Sequence, residues 1–432
     1  HNRKFDKFWK QEEVWIRKGV QARRCRDEGR VRRLEALRLT REARMGRTGQ
    51  VGFQIDSGER SGRVVAEMET ISYGYEDRPL IRDFTGTLLR GDKLGLLGPN
   101  GAGKSNLIGV FRFLNSVLAS QLQLYVGEHG GPDRLLHHGE KTTPKMSFRF
   151  DFGSNAYSFT LTPAVGDTMV FESEAIYYHD TRYPRPWNLQ IGAGHKETAL
   201  HETAATSGQG RRVAEHVLNG VKNWVVYHFH DTSSSAPAKK TQDIDDNRAF
   251  RPDAANLAAF LYWMKINHPT EYRHVVEHVQ LVAPFFDDFV LEPSRNNPNK
   301  IKLEWKQKGS DAYFDGFSLS DGTLRFICLS VLLLQPTLPS LILLDEPELG
   351  LHPFAITILA EMLEAAARRS QVMLATQSVT LLNQFSPEAI IIADNDGLHT
   401  NFRRLTEQDL SSWMNDYSLG DLWEKNIIGG RP

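Results

Sequence analysis

The chain has 432 residues, 40% of them hydrophobic and 24% charged, with a formal net charge of −1. That length and apolar share suffice for a sizeable core and for two or three structural units. Only two cysteines, Cys25 and Cys328, are present, which excludes a disulfide scaffold and a cysteine zinc site. No run of 18 apolar residues and no signal-peptide pattern occurs, which argues against a membrane span and points to a cytoplasmic address.

The near-neutral total conceals an asymmetry. Residues 1–47 hold 16 Lys/Arg against 7 Asp/Glu, a surplus of +9 that leaves −10 for the remainder. Phe5, Trp9, Ile16 and Val20 trace one apolar seam at helical spacing, Val31, Leu34 and Leu37 trace another, and Gly29 falls between them. The pattern predicts a basic helical hairpin over residues 1–50. It is either a solvated helix pair or an arm whose arginines take nucleic-acid phosphates.

Strands are expected next at 64–71, 80–88 and 93–97. The last runs into Gly98, Pro99, Asn100, Gly101, Ala102, Gly103, Lys104 and Ser105, which fits the G-x-x-x-x-G-K-[ST] phosphate loop, and residues 106–111 continue as a helix starting at Asn106. The chemistry sets the residue types. Glycines let backbone N–H groups curl around phosphates, and the helix points its positive end at them. Lys104 neutralises the β/γ oxygens, and the Ser105 hydroxyl ligates Mg²⁺.

Residues 115–315 read as an inserted lobe. Strands are expected at 147–152 and 157–161, a polar linker at 231–247, and helices at 253–267 and 271–282. His228, His230 and Asp231 suggest a metal site, since positions i and i+2 of a strand share a face, but no third well-spaced ligand accompanies them and structural histidines are commoner. Phe260, Tyr262 and Trp263 read as helix core.

Leu319, Ser320, Asp321, Gly322 and Thr323 form a turn and N-cap ahead of a helical stretch at 324–334. An aliphatic strand at 341–345 then delivers Asp345 and Glu346 at its C-terminal end, where ligands of open α/β sheets bind. Asp345 suits Mg²⁺, and Glu346 suits the general base that deprotonates an attacking water. Gln377 follows a strand at 372–376. Its amide can orient water or touch the γ-phosphate but cannot change charge, which predicts slow hydrolysis. A strand at 390–393 and a closing helix at 407–423 complete the chain. Asp345 follows Lys104 by 241 residues (345 − 104), far more than one crossover needs.

Two family resemblances follow from these residues. Residues 3–105, with the run 11–17 (Gln-Glu-Glu-Val-Trp-Ile-Arg), Glu28-Gly29-Arg30-Val31-Arg32 and Arg90-Gly91-Asp92-Lys93, resemble ABC-F ATPases of the Uup type, over the end of the linker and the start of the second cassette. From residue 98 onward the chain resembles the RecF/SMC-like AAA-family ATPases instead. The marks are Tyr227-His228-Phe229-His230-Asp231-Thr232-Ser233, the Leu-Ser-Asp-Gly-Thr signature, Asp345 to Pro353, Thr376-Gln377-Ser378 and the tail Leu422-Trp423-Glu424-Lys425-Asn426. The two parts meet inside the phosphate loop, as in a fused chain.

The resemblances imply an α/β P-loop NTPase of the ABC/RecF/SMC head type. Its core would comprise residues 60–114 and 316–432, around the inserted lobe 115–315 and after the hairpin 1–50. They imply ATP and Mg²⁺ as cofactors, adenine stacked on Tyr75, and an ATP-dependent homodimer in which Ser320 and Gly322 face the partner's γ-phosphate. They also imply a DNA-related or antiviral defence role with a separate effector protein, or a ribosome-bound, translation-associated role of the ABC-F kind. No membrane partner is implied.

Overall fold

The computed structural model describes residues 64–429, apart from 76–77, 90–92, 99–103, 137–138, 181, 184, 396–399, 406–409, 411–412 and 414–416. The basic hairpin and phosphate-loop residues Pro99 to Gly103 therefore lie outside the described residues. For β1 (Val64–Tyr75) and β2 (Arg78–Leu89) only the backbone is described. No described helix is long and apolar enough to cross a membrane.

A 12-stranded mixed sheet organises residues 59–432, which form one compact unit. After β1 and β2 come β3 (Lys93–Leu97), helix α1 (Lys104–Leu118) and α2 (Leu122–Glu128). Next are β4 (Met146–Phe152), β5 (Asn155–Ala164), β6 (Thr168–Tyr178), β7 (Trp187–Gly192), α3 (Gln209–Val221) and β8 (Trp224–Tyr227). Beyond them lie β9 (Gln242–Asp243), α4 (Leu257–Asn267), α5 (Pro269–Val282), β10 (Phe286–Val290), β11 (Lys300–Ile301), β12 (Glu304–Gln307) and β13 (Tyr313–Asp315). The C-terminal part holds α6 (Asp321–Leu334), β14 (Leu341–Asp345), α7 (Pro353–Ala367), β15 (Gln371–Thr376), β16 (Ile390–Asn395), β17 (Thr400–Arg404) and α8 (Leu419–Glu424).

The sheet order is β7-β6-β5-β4-β1-β2-β17-β16-β3-β15-β14-β8. From β16 to β8 every pairing is parallel. Such strands need cover on both faces, and β14 and β15 show how the sequence supplies it. Leu341, Leu343, Met373 and Ala375 enter the core beneath α1 and α3, whereas Ile342, Leu344, Val372 and Leu374 enter the core shared with α6 and α7. The two-residue period of a strand thus splits one aliphatic run between two cores.

Residues 115–315 do not form a body apart. Strands β4 to β7 extend the main sheet through the β1·β4 pairing, and Phe148, Phe150, Tyr157 and Phe159 pack in the same core as α1. The polar segment 231–247 is not a loose linker either, because the side-chain Oε1 of Gln242 accepts from Ala258 N at 2.8 Å and Ala259 N at 3.1 Å and so caps α4. That helix starts at Leu257 rather than 253. Asn256, fully buried, holds the preceding turn by accepting from Arg251 N and donating to Asp246 O and Ala249 O. At the C-terminus, α8 starts at Leu419 behind a capping box made by Ser418 and Asp421, and most of the expected helix 407–423 ahead of it lies outside the described residues.

Candidate nucleotide site

Three adjacent parallel strands close the gap between the two sequence motifs. Leu96 on β3 pairs with Ala375 on β15, which pairs with Asp345 on β14, so Gly98, Gln377 and Glu346 leave the sheet at one edge. Topology thus brings together groups that lie more than two hundred positions apart.

Lys104 opens α1 with its side chain buried and its ammonium donating to Gly98 O. Burial pulls its pKa down, while the carboxylates of Glu346, Asp345 and Glu348 push it back up. Ser105 and Asn106 are exposed at the start of the same helix. Ser105 Oγ lies 3.4 Å from Asp345 Oδ1. Two oxygens holding adjacent corners of a Mg²⁺ octahedron sit about 3 Å apart, given metal–oxygen bonds of roughly 2.1 Å, so the pair fits that cation.

Beyond Asp345 the ladder continues for one more bond, Glu346 N to Ala375 O at 2.9 Å, and then turns sharply. Glu346 has φ +44, a left-handed conformation that a non-glycine residue adopts at a cost. Its Oε1 accepts from the Gln377 carboxamide at 2.8 Å. Glu348, three positions past Asp345, is buried and accepts from the Thr376 hydroxyl and from Gln377 N.

His230 Nε2 donates to Asp345 O at 2.8 Å, which commits that nitrogen to the β14 backbone. Asp231 accepts from Ser233 instead. Among the described residues no cluster of three or more His, Cys, Asp and Glu able to hold a metal is present, so His228, His230 and Asp231 are not brought together as a ligand set.

Ser320 caps α6 by accepting from Thr323 N, and both Ser320 and Asp321 are exposed. The Ser320 hydroxyl meets Thr323, and the Ser320 carbonyl accepts from Leu324 N at 2.9 Å. Gly322 packs on the loop after Glu346, where an added Cβ would lie 2.6 Å from Gly350 O. Arg325, one turn along α6 and buried, donates to the carbonyls of Phe229, His230 and Leu349. One guanidinium thus ties the signature helix to the strand end carrying His230 and to the loop after Glu346. Tyr75 ends β1, and its side chain lies outside the described residues.

The sequence reading missed Glu348, Thr376, Arg325 and the His230 contact. The signal for Glu348 was the second acid of Asp345-Glu346-Pro347-Glu348, and for Thr376 the hydroxyl directly before Gln377.

Comparison with known proteins fits this site. The family model described as "AAA domain, putative AbiEii toxin, Type IV TA system" matches residues 94–383, well over half of the chain. An ATP-binding protein Uup-like of Haemophilus influenzae is 50% identical over 107 residues, 25% of this chain and 23% of that protein. Uup of Escherichia coli is 44% identical over 126 residues, 29% of this chain and 20% of that protein. The chain thus spans only about a quarter or less of those relatives' length. Among solved structures, an Smc head bound to the C-terminal winged-helix domain of ScpA aligns at TM-score 0.45 and 14% identity over 80% of this chain and 99% of its own. An ATP-binding subunit of an ABC transporter aligns at TM-score 0.37 and 14% identity over 84% and 98%. By the family match, the chain belongs to the AAA_21 family of AAA domains and is a P-loop ATPase.

Proposed function

We propose that this ATPase holds ATP·Mg²⁺ at the common edge of β3, β15 and β14 and hydrolyses it with Glu346 as general base. Residues Gly98 to Lys104 cradle the phosphates through backbone N–H groups, Lys104 spreads charge off the β/γ oxygens, and Asn106 lies in the first turn of α1 beside them. Ser105 and Asp345 would hold Mg²⁺, which when bound neutralises charge developing on the phosphate oxygens. Glu346 takes a proton from water as its oxygen bonds to the γ-phosphorus. The bond to the bridging oxygen breaks, and ADP leaves with that electron pair. Gln377 orients the Glu346 carboxylate and the water. Tyr75 is assigned to the adenine. The observation that carries this reading is the 3.4 Å approach of Ser105 to Asp345 across the sheet, with Gln377 on Glu346 beside it.

Ser320 and Gly322, at the start of α6 where Ser320 is exposed, are assigned to the nucleotide of a second copy, so that ATP joins a homodimer. That dimer switches a DNA-related or defence assembly with a separate effector protein. The family description, which names a toxin of a toxin–antitoxin system, supports this direction. A second reading, an RNA- or ribosome-binding factor using basic residues 1–47, is supported by the identity shared with the Uup proteins. The test is purified Glu346→Gln with ATP, scored for dimer formation and for association with duplex DNA or ribosomes. A dimer and stimulation of wild-type hydrolysis by DNA favour the first reading. Ribosome co-sedimentation that is lost on deleting residues 1–47 favours the second.

A further inference from the structure

Glu348 is a buried acid that the hydrolytic scheme above leaves without a task. It sits two positions after the proposed base, is 7% exposed, and points its two oxygens at different surroundings. Oε1 accepts from the Thr376 hydroxyl and, at 3.4 Å, from the backbone N–H of Gln377, whereas Oε2 is buried with no hydrogen-bond partner among the described residues. Leaving a carboxyl oxygen unmet in the interior costs about 1–3 kcal/mol, so a surface-packing role does not account for an acid here.

The bonds around it form a closed ring. Glu346, Pro347 and Glu348 follow one another along the chain, Glu348 Oε1 meets Thr376 and Gln377, and the Gln377 side chain returns to Glu346 Oε1 at 2.8 Å. Thr376 Oγ1 in turn accepts from Ser378 N at 2.9 Å, which fixes the turn on the far side of Gln377. The loop on the Glu348 side is equally constrained: Leu349 N bonds Glu346 O, Leu351 N bonds Glu348 O, and Leu349 O receives Arg325 from the signature helix.

We propose that Glu348 is a positioning residue for hydrolysis: its Oε1 clamps the Thr376–Gln377 turn against the loop after β14, and so keeps the Gln377 carboxamide on Glu346. The inference rests on the assignment of Glu346 and Gln377 made above. Burial pushes the Glu348 carboxyl upward, with the neighbouring Glu346 adding to that push. A one-ångström displacement of a positioning contact can cost about a hundredfold in rate, so a small shift of this turn is enough to matter.

The experiment is steady-state ATP hydrolysis and ATP binding by the full chain, for wild type, Glu348→Ala, Glu348→Gln, Gln377→Ala and the Glu348→Ala/Gln377→Ala double variant. Glu348→Ala is expected to lower kcat about tenfold or more, to the level of Gln377→Ala, with KM for ATP changed by less than about twofold. The double variant is expected to fall no further, and Glu348→Gln, whose carbonyl still accepts from Thr376 and Gln377, to recover most of the rate. Wild-type kcat in Glu348→Ala, or losses that multiply in the double variant, overturns the proposal. Should Glu348→Ala fail to fold by circular dichroism, Thr376→Val replaces it and is read the same way. Glu346→Gln separates the two levels: full activity in that variant sinks the assignment of the base, whereas an inactive Glu346→Gln beside a fully active Glu348→Ala sinks only the role of Glu348.

Discussion

The carboxamide of Gln377 donates to Glu346 Oε1 at 2.8 Å, across the seam between β15 and β14. An amide cannot gain or lose a proton near neutral pH, so this contact orients the carboxylate without switching its charge. Turnover is expected to be slow. Gln377→Ala is expected to lower kcat by about tenfold or more while ATP binding stays within about twofold, read by phosphate release and equilibrium binding. Fast wild-type turnover that Gln377→Ala abolishes would contradict the account of Gln377.

Gly322 has no room for a side chain, because its Cβ would lie 2.6 Å from Gly350 O. Gly322→Ala is expected to push the signature turn off the loop after Glu346. In a Glu346→Gln background this weakens ATP-dependent dimerisation, measured by light scattering. Ser320→Arg, at an exposed position, is expected to block the dimer and leave ATP binding by the single chain intact. A dimer that forms equally well with both substitutions rules out the signature as the contact.

On β6, the fully buried Glu174 accepts from Tyr157 Oη at 2.6 Å, His195 Nε2 at 2.7 Å, Ala199 N at 2.9 Å and Thr198 Oγ1. Removing this acceptor takes from four donors their shared partner. Glu174→Ala is expected to cost about 3–5 kcal/mol and to lower the melting temperature by several degrees, with kcat per folded molecule unchanged. A melting temperature equal to wild type would show that the cluster carries no stability.

Glu348 also sets a pH dependence. Burial raises its carboxyl above the ordinary 4.5. The stability it contributes is therefore full below that ordinary value and is lost as pH rises through the raised one. Glu348→Gln, which cannot ionise, is expected to flatten the melting temperature between pH 5 and 8 relative to wild type, measured by thermal melts across that range. A parallel profile for the two proteins would count against a raised carboxyl.

The site was legible where chemistry demands fixed local spacing. Glycines before Lys104-Ser105 and four aliphatic residues before Asp345-Glu346 each point to one arrangement, and the parallel register of β3, β15 and β14 brings both to one edge. What escaped the sequence depends on contacts between distant segments. Strand β6 carries a buried glutamate in mid-run, which breaks the apolar alternation and is tolerable only because residues 157 and 195–199 meet it. Thr376 and Glu348 look like ordinary strand-end and loop residues until β14 and β15 pair. The start of α4 was misplaced because a buried asparagine, not helix propensity, decides where that turn ends.

The most direct test is Mg²⁺-dependent ATP hydrolysis by wild type, Lys104→Ala and Glu346→Gln side by side with ATP binding. The account predicts measurable wild-type turnover that EDTA stops, loss of binding and turnover in Lys104→Ala, and retained binding without turnover in Glu346→Gln. Turnover in Glu346→Gln equal to wild type, or ATP binding untouched in Lys104→Ala, would contradict it.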